Sequence, residues 1–181
     1  MSINHTIMTK FSDKDIINPS SDGNSTVSYS DFCLKNARTV NVLSNGKSRD
    51  DISLLNALLS VLSSRGLHVR VMCDSRPVSH VEMHDSMSLS FFSRNDFSIF
   101  GSPKSSILKE FIDTPSDIFI DLTSSDKPRI RKIRRQLKYK LSIGVNPHIG
   151  IVYDFVFSIP SGSDYNRAFE SMMNYLDIIN R

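Results

Sequence analysis

The stretch Asn45-Gly46-Lys47-Ser48 carries the first candidate chemistry in this chain. Gly-Lys-Ser between a strand and a helix can cradle a phosphate on backbone N–H groups at the helix N-terminus. A phosphate-binding loop needs a second glycine five residues before Gly46, and that position is Asn41, inside the strand. Asp50 and Asp51 put negative charge at the helix end that would face the anion. A capped surface turn is the better reading. Asp74 closes the next strand, where a ribose-binding acid could stand, but no G-x-G-x-x-G precedes it. No cofactor is assigned.

His80 and His84 flank Glu82 in the order HVEMH. On a helix the two imidazoles would share a face and could bind a metal. Nothing else marks the segment as helical, and the H-E-x-x-H order is absent, so a solvated loop is expected and no metal is assigned. Cys33 and Cys73 do not make a disulfide framework and read as reduced core thiols.

The strongest surface signal is cationic. Net charge is +3, yet Asp126 to Lys140 holds eight Lys or Arg against one Asp, so the remainder of the chain is net acidic. Lys127, Arg129, Arg131, Lys132, Arg134, Arg135 and Lys138 are the candidate polyanion-binding residues. Only Ile130, Ile133 and Leu137 form an apolar stripe, so cations are expected to cover the rest of this helix. Such a face could neutralise nucleic-acid phosphates or meet an acidic protein. The plain alternative is a solvated helix with cations near its C-terminal end. No aromatic apart from Tyr139 interleaves with the run, which argues against single-strand stacking.

A second candidate site follows from the elements that must position these residues. Thr39 to Leu43 reads as a strand, and Ser48 with Asp51 as the start of a helix. Leu55, Leu58, Leu59 and Leu62 recur at helical spacing, Gly66 stops the helix, and His68 to Met72 alternates as a strand. This βαβ unit implies parallel strands. Met87 to Phe92 reads as a third strand, Ser93 to Pro103 as a loop with buried aromatics, and Lys104 to Asp113 as a helix. Asp117 to Leu122 is a nearly continuous apolar run, as in a central strand covered on both faces. A basic helix to about Leu137, strands at Tyr139 to Val145 and Tyr153 to Ile159, and a last helix after Asp164 complete the pattern.

The expected fold is α/β: a three-layer α/β/α sandwich with a mostly parallel, Rossmann-like sheet of five to six strands. The connection before the sixth strand is short enough for a hairpin, so an antiparallel edge strand is an open alternative. Residues 1–28 are expected to form a polar, disordered tail and residues 29–181 a single domain. Open parallel sheets bind ligands beyond the carboxyl ends of their strands. That rim would carry Ser44, Asn45, Asp74, Ser75, Arg76, Thr123 and Ser124. It lacks a nucleophile–base pair or a carboxylate pair.

The block FFSRNDFSIFGSPKSS sets Phe97, Phe100, Gly101, Pro103 and Lys104 in order. With ARTVNVL, DIFIDLT, YKLSIGV and YDFVFSI…YLDIIN, it resembles a bacterial family catalogued as a domain of unknown function, over roughly residues 32–180. The resemblance implies one Rossmann-like α/β domain in a cytoplasmic protein and brings no catalytic residues with it. No apolar run approaches the roughly 20 residues that span a bilayer, and the N-terminus lacks a secretory pattern. A cytoplasmic location without membrane contact is expected. The leading expectation is a non-catalytic binding or scaffold domain that uses the basic helix. The alternative is a small enzyme or sensor holding a phosphate-bearing ligand at the strand rim.

Overall fold

The computed structural model describes residues 8–10, 36–123, 127–147 and 152–179. The first helix, α1 (Arg49–Ser64), starts where its capping residues require. Ser48 Oγ accepts from Asp51 N at 3.0 Å, and Asp51 Oδ2 accepts from Ser48 N at 2.8 Å. The same carboxylate accepts from Lys47 N at 3.2 Å. An internal anion therefore occupies the place a phosphate would take, and Asn45 to Ser48 is a capped turn.

The strands are β1 (Met8–Lys10), β2 (Thr39–Ser44), β3 (His68–Asp74), β4 (Met87–Phe92), β5 (Ser116–Asp121), β6 (Tyr139–Val145) and β7 (Phe155–Phe157). They form one sheet in the order β1-β7-β6-β5-β2-β3-β4. The six strands from β2 to β7 run parallel, and β2 pairs β5 with Val40 opposite Ile118. This is the Rossmann-like order, with its reversal point between β2 and β5. The remaining helices are α2 (Ser106–Asp113), α3 (Pro128–Gln136) and α4 (Tyr165–Ile179).

Helices α1 and α4 cover one face over Val42, Val71, Ile120, Ile143 and Phe157. Helices α2 and α3 cover the other over Leu43, Met72 and Phe119. α3 has nine residues and would be marginal alone. Ile130, Ile133 and Leu137 bury it, at roughly 1.5–3 kcal/mol for each fully buried side chain.

At the opposite end of the sheet, Asp117 joins three strands. Its Oδ2 accepts from Arg38 N, Thr39 N and Thr39 Oγ1 at 2.8, 3.1 and 3.0 Å, and Lys140 Nζ donates to Oδ1 at 2.7 Å. Burial opposes the charge, but these donors hold the carboxyl down at about 2.

The α/β sheet is as expected, and the open alternative for the sixth strand is decided. β7 is parallel to β6, with Ile143 opposite Phe155, so it is not the antiparallel edge. The pairing spans only three residues, so the chain retraces a short distance and a short connection suffices. The antiparallel edge strand is β1, with Met8 opposite Phe157. Apart from β1, the proposed tail lies outside the described residues, as do Cys33 and Ser124. The segment holding His80, Glu82 and His84 is a loop between β3 and β4.

Candidate polyanion-binding groove

Asp74 ends β3 with its carboxylate almost wholly buried. Three cations converge on it. Lys47 Nζ and Lys127 Nζ donate to Oδ2 at 2.8 and 3.2 Å, and Arg129 Nη2 and Nε donate to Oδ1 at 2.7 and 3.2 Å. Burial raises the Asp74 pKa, but the bonds from Lys47, Arg129 and Lys127 outweigh it and leave the carboxyl below its ordinary range. Lys47 is held charged by Asp74, whereas Lys127 is lowered by the Lys47 ammonium beside it. Three cations thus share one carboxylate at this end of the sheet.

Facing Lys127 and Arg129 is a small hairpin from the segment after β4. Phe97 and Pro103 bridge its arms, and Ser98 N donates to Ser102 O at 2.8 Å. Gly101 N donates to Ser98 O at 2.8 Å, which makes Ser98 to Gly101 a β-turn. Gly101 has φ +74°, which L side chains rarely adopt. Ser93 and Asp96 cap the turn of 3-10 helix Arg94–Asp96 below it. Phe97 packs edge-on against buried Phe92 with ring centroids 5.8 Å apart, anchoring the hairpin to the core.

The tip does the opposite of what its composition suggests. Its aromatics were expected to be buried, yet Ile99 is 94% and Phe100 85% exposed. The two central residues of a tight turn project outward, and the hydrogen bonds across the arms leave no freedom to fold them in. Only Phe97 of this group is half-buried. Lys132 Nζ reaches Phe100 O at 3.5 Å and Ser102 Oγ at 3.4 Å, which ties α3 to the hairpin.

Between hairpin and helix lies an open groove of about 920 Å³. Arg94 and Lys104 line it from the hairpin side, and Arg129 and Lys132 of α3 with Lys127 at its N-cap from the other. Phe97, Ile99 and Phe100 supply the apolar surface. Among the described residues, the lining has no acidic residue, histidine or cysteine.

The basic helix does not present all its cations. Arg134 is buried, a correction to the expectation that cations cover everything outside the apolar stripe. Its Nε donates to Asp121 Oδ2, and its Nη2 donates to Thr123 Oγ1. Thr123 N and Oγ1 donate to Asp121 Oδ1 at 2.8 and 2.7 Å, and Tyr153 OH donates to Oδ2 at 2.6 Å. Desolvation pushes the Tyr153 pKa upward, keeping it a neutral donor. Arg134 sits one turn from Ile130, on the buried stripe, and a buried charge persists only with such a partner. Arg131, Arg135 and Lys138 are exposed.

Of the rim residues, Ser44 is buried at the end of β2, and among the described residues its Oγ has no hydrogen-bond partner. Asn45 Nδ2 donates to Asp51 at 3.4 Å. Ser75 has φ +99°, Arg76 is exposed, and Thr123 belongs to the Asp121 network. Cys73 is a buried core thiol, its pKa pushed up to about 12 by burial first and by Asp51 and Asp74 next. The rim and the basic helix, separate in sequence, meet at Asp74. Sequence reasoning missed Arg94, Phe97, Phe100 and Lys104. The signal was present as cations flanking aromatics in FFSRNDFSIFGSPKSS, and it lacked a spatial partner.

No helix among the described residues is long and apolar enough to cross a membrane. A model described as Family of unknown function (DUF6913) matches residues 9–179. Neither the curated proteins nor the solved structures contain a match.

Proposed function

The chain belongs to this family of unknown function, and from that premise we propose that it is a non-catalytic, cytoplasmic binding module for nucleic acid. The groove between the hairpin and α3 is the binding surface. Its five lining cations, with no acid among the described lining residues, are the observation that carries the reading. Phosphates neutralised there release condensed counterions, so affinity must fall as salt rises. A second reading, a phosphate-bearing small ligand at the strand ends, draws on the convergence of Lys47, Lys127 and Arg129. Asp74 already occupies that convergence, whereas Arg94, Lys104 and Lys132 of the groove lie outside it.

The test is a salt titration of binding to labelled 20-nucleotide DNA and RNA, with Lys104→Glu and Lys132→Glu as the charge-reversing pair. Neutralising three to five phosphates predicts a loss of roughly 20- to 100-fold between about 50 and 200 mM salt. The double variant should bind weakly at every salt concentration. Salt-independent binding, or a double variant that binds like the parent, overturns the reading.

A further inference from the structure

The groove combines charge with a presented aromatic ring, and the two come from different parts of the chain. Phe100 is the most exposed aromatic among the described residues. A phenyl ring left 85% in water costs apolar hydration that a folded chain normally avoids by burying it. Here the cost is fixed in the fold. The Phe97–Pro103 bridge, the Ser98–Gly101 turn and the Gly101 conformation hold the tip outward. The hairpin foot is anchored on Phe92, and its tip is held beside α3 by Lys132. The ring is thus presented on a rigid support at the mouth of a groove whose other wall is cationic.

Resting on the nucleic-acid reading above, we propose that the groove is selective for single-stranded nucleic acid, with a base stacked on Phe100. The backbone phosphates would lie along Arg94, Lys104, Lys127, Arg129 and Lys132. Non-specific single-strand sites pair a basic track with an exposed aromatic face, since every base has a π-face to stack. A duplex keeps its bases stacked on one another and offers the ring nothing but its convex phosphate surface. Ile99 extends the apolar surface beside the ring. A lipid surface would also meet cations around apolar residues. The vesicle arm of the experiment distinguishes that partner from a strand.

The experiment measures binding of the full chain to a 12-nucleotide single strand, to its duplex, to heparin and to phosphatidylglycerol vesicles. Phe100→Ala and Phe100→Trp are compared with the parent; the position is in solvent, and circular dichroism checks the folding of both variants. The expected result is single strand bound at least about tenfold more tightly than duplex. Phe100→Ala should cost about 5- to 150-fold on single strand, the alanine-substitution range for one stacked base. It should leave heparin binding and the salt slope unchanged, and Phe100→Trp should retain affinity. Equal affinity for strand and duplex, or no loss in Phe100→Ala, overturns the stacking inference while heparin and duplex binding leave the polyanion reading standing. Failure to bind any polyanion removes both. Vesicle binding that depends on Phe100, without strand binding, also overturns the inference.

Discussion

The ring of Tyr153 lies in the space that a side chain on Gly144 would need: a Cβ built there would stand 2.4 Å from Tyr153 Cδ2. Gly144 is opposite Asp121 in the sheet, so its missing side chain lets the Tyr153 hydroxyl reach that carboxylate. Gly144→Ala should push the ring away and lose both its packing and its hydrogen bond. We expect a destabilisation of about 2–4 kcal/mol. Tyr153→Phe, which removes only the hydroxyl, should cost about 1–2 kcal/mol. Urea unfolding of both variants checks the order, and a Tyr153→Phe loss exceeding that of Gly144→Ala contradicts it.

Arg134 and Arg135 are adjacent in sequence but should respond differently. Arg134→Met leaves Asp121 buried without its cation and should cost about 3–5 kcal/mol. Arg135→Met, on the exposed side of α3, should stay within about 0.5 kcal/mol. Thermal melts of the two variants under one buffer decide the matter. Equal melting temperatures would show that the Asp121 pair contributes nothing to the fold.

Asp74→Asn keeps the shape and removes the charge that Lys47, Lys127 and Arg129 share. The three cations then repel one another across an uncharged amide. Stability should fall by about 1–3 kcal/mol, and sulfate should raise the melting temperature of the variant more than that of the parent. An identical sulfate response in both proteins would falsify the picture of Asp74 as the counter-ion of the rim.

Acid should act in part through Asp117. Its folded pKa is about 2, below the ordinary carboxylate value near 3.9, so its contribution is complete above about pH 4 and disappears as pH falls toward 2. Allowing for solvent screening at this end of the sheet, the effect is about 1 kcal/mol. Asp117→Asn should lose that stability at pH 7 and show a flatter stability profile between pH 4 and 2. The comparison is urea midpoints across that range, and parallel profiles for parent and variant would refute the assignment.

The sequence by itself determined the local elements. Ser48 and Asp51 specified the start of α1, Gly66 its end, and the leucine spacing its buried face, because caps and periodicity act within one or two turns. β6 runs from Tyr139 to Val145 as its pattern indicates. The parallel arrangement followed from strands alternating with helices. Only the tertiary structure decided what lies beside what. The direction of β7, the inward turn of Arg134 toward Asp121 and the exposure of Phe100 all depend on contacts between residues distant in sequence. Arg134 and Arg135 look alike in a string of cations, and only the carboxylate at the end of β5 distinguishes them. Phe100 likewise reads as a core residue until the hairpin turns it outward against α3. Charge and apolarity are properties of single residues, but a binding surface is a relation between them, and that relation exists only once the sheet has brought residues 94–104 and 127–132 together.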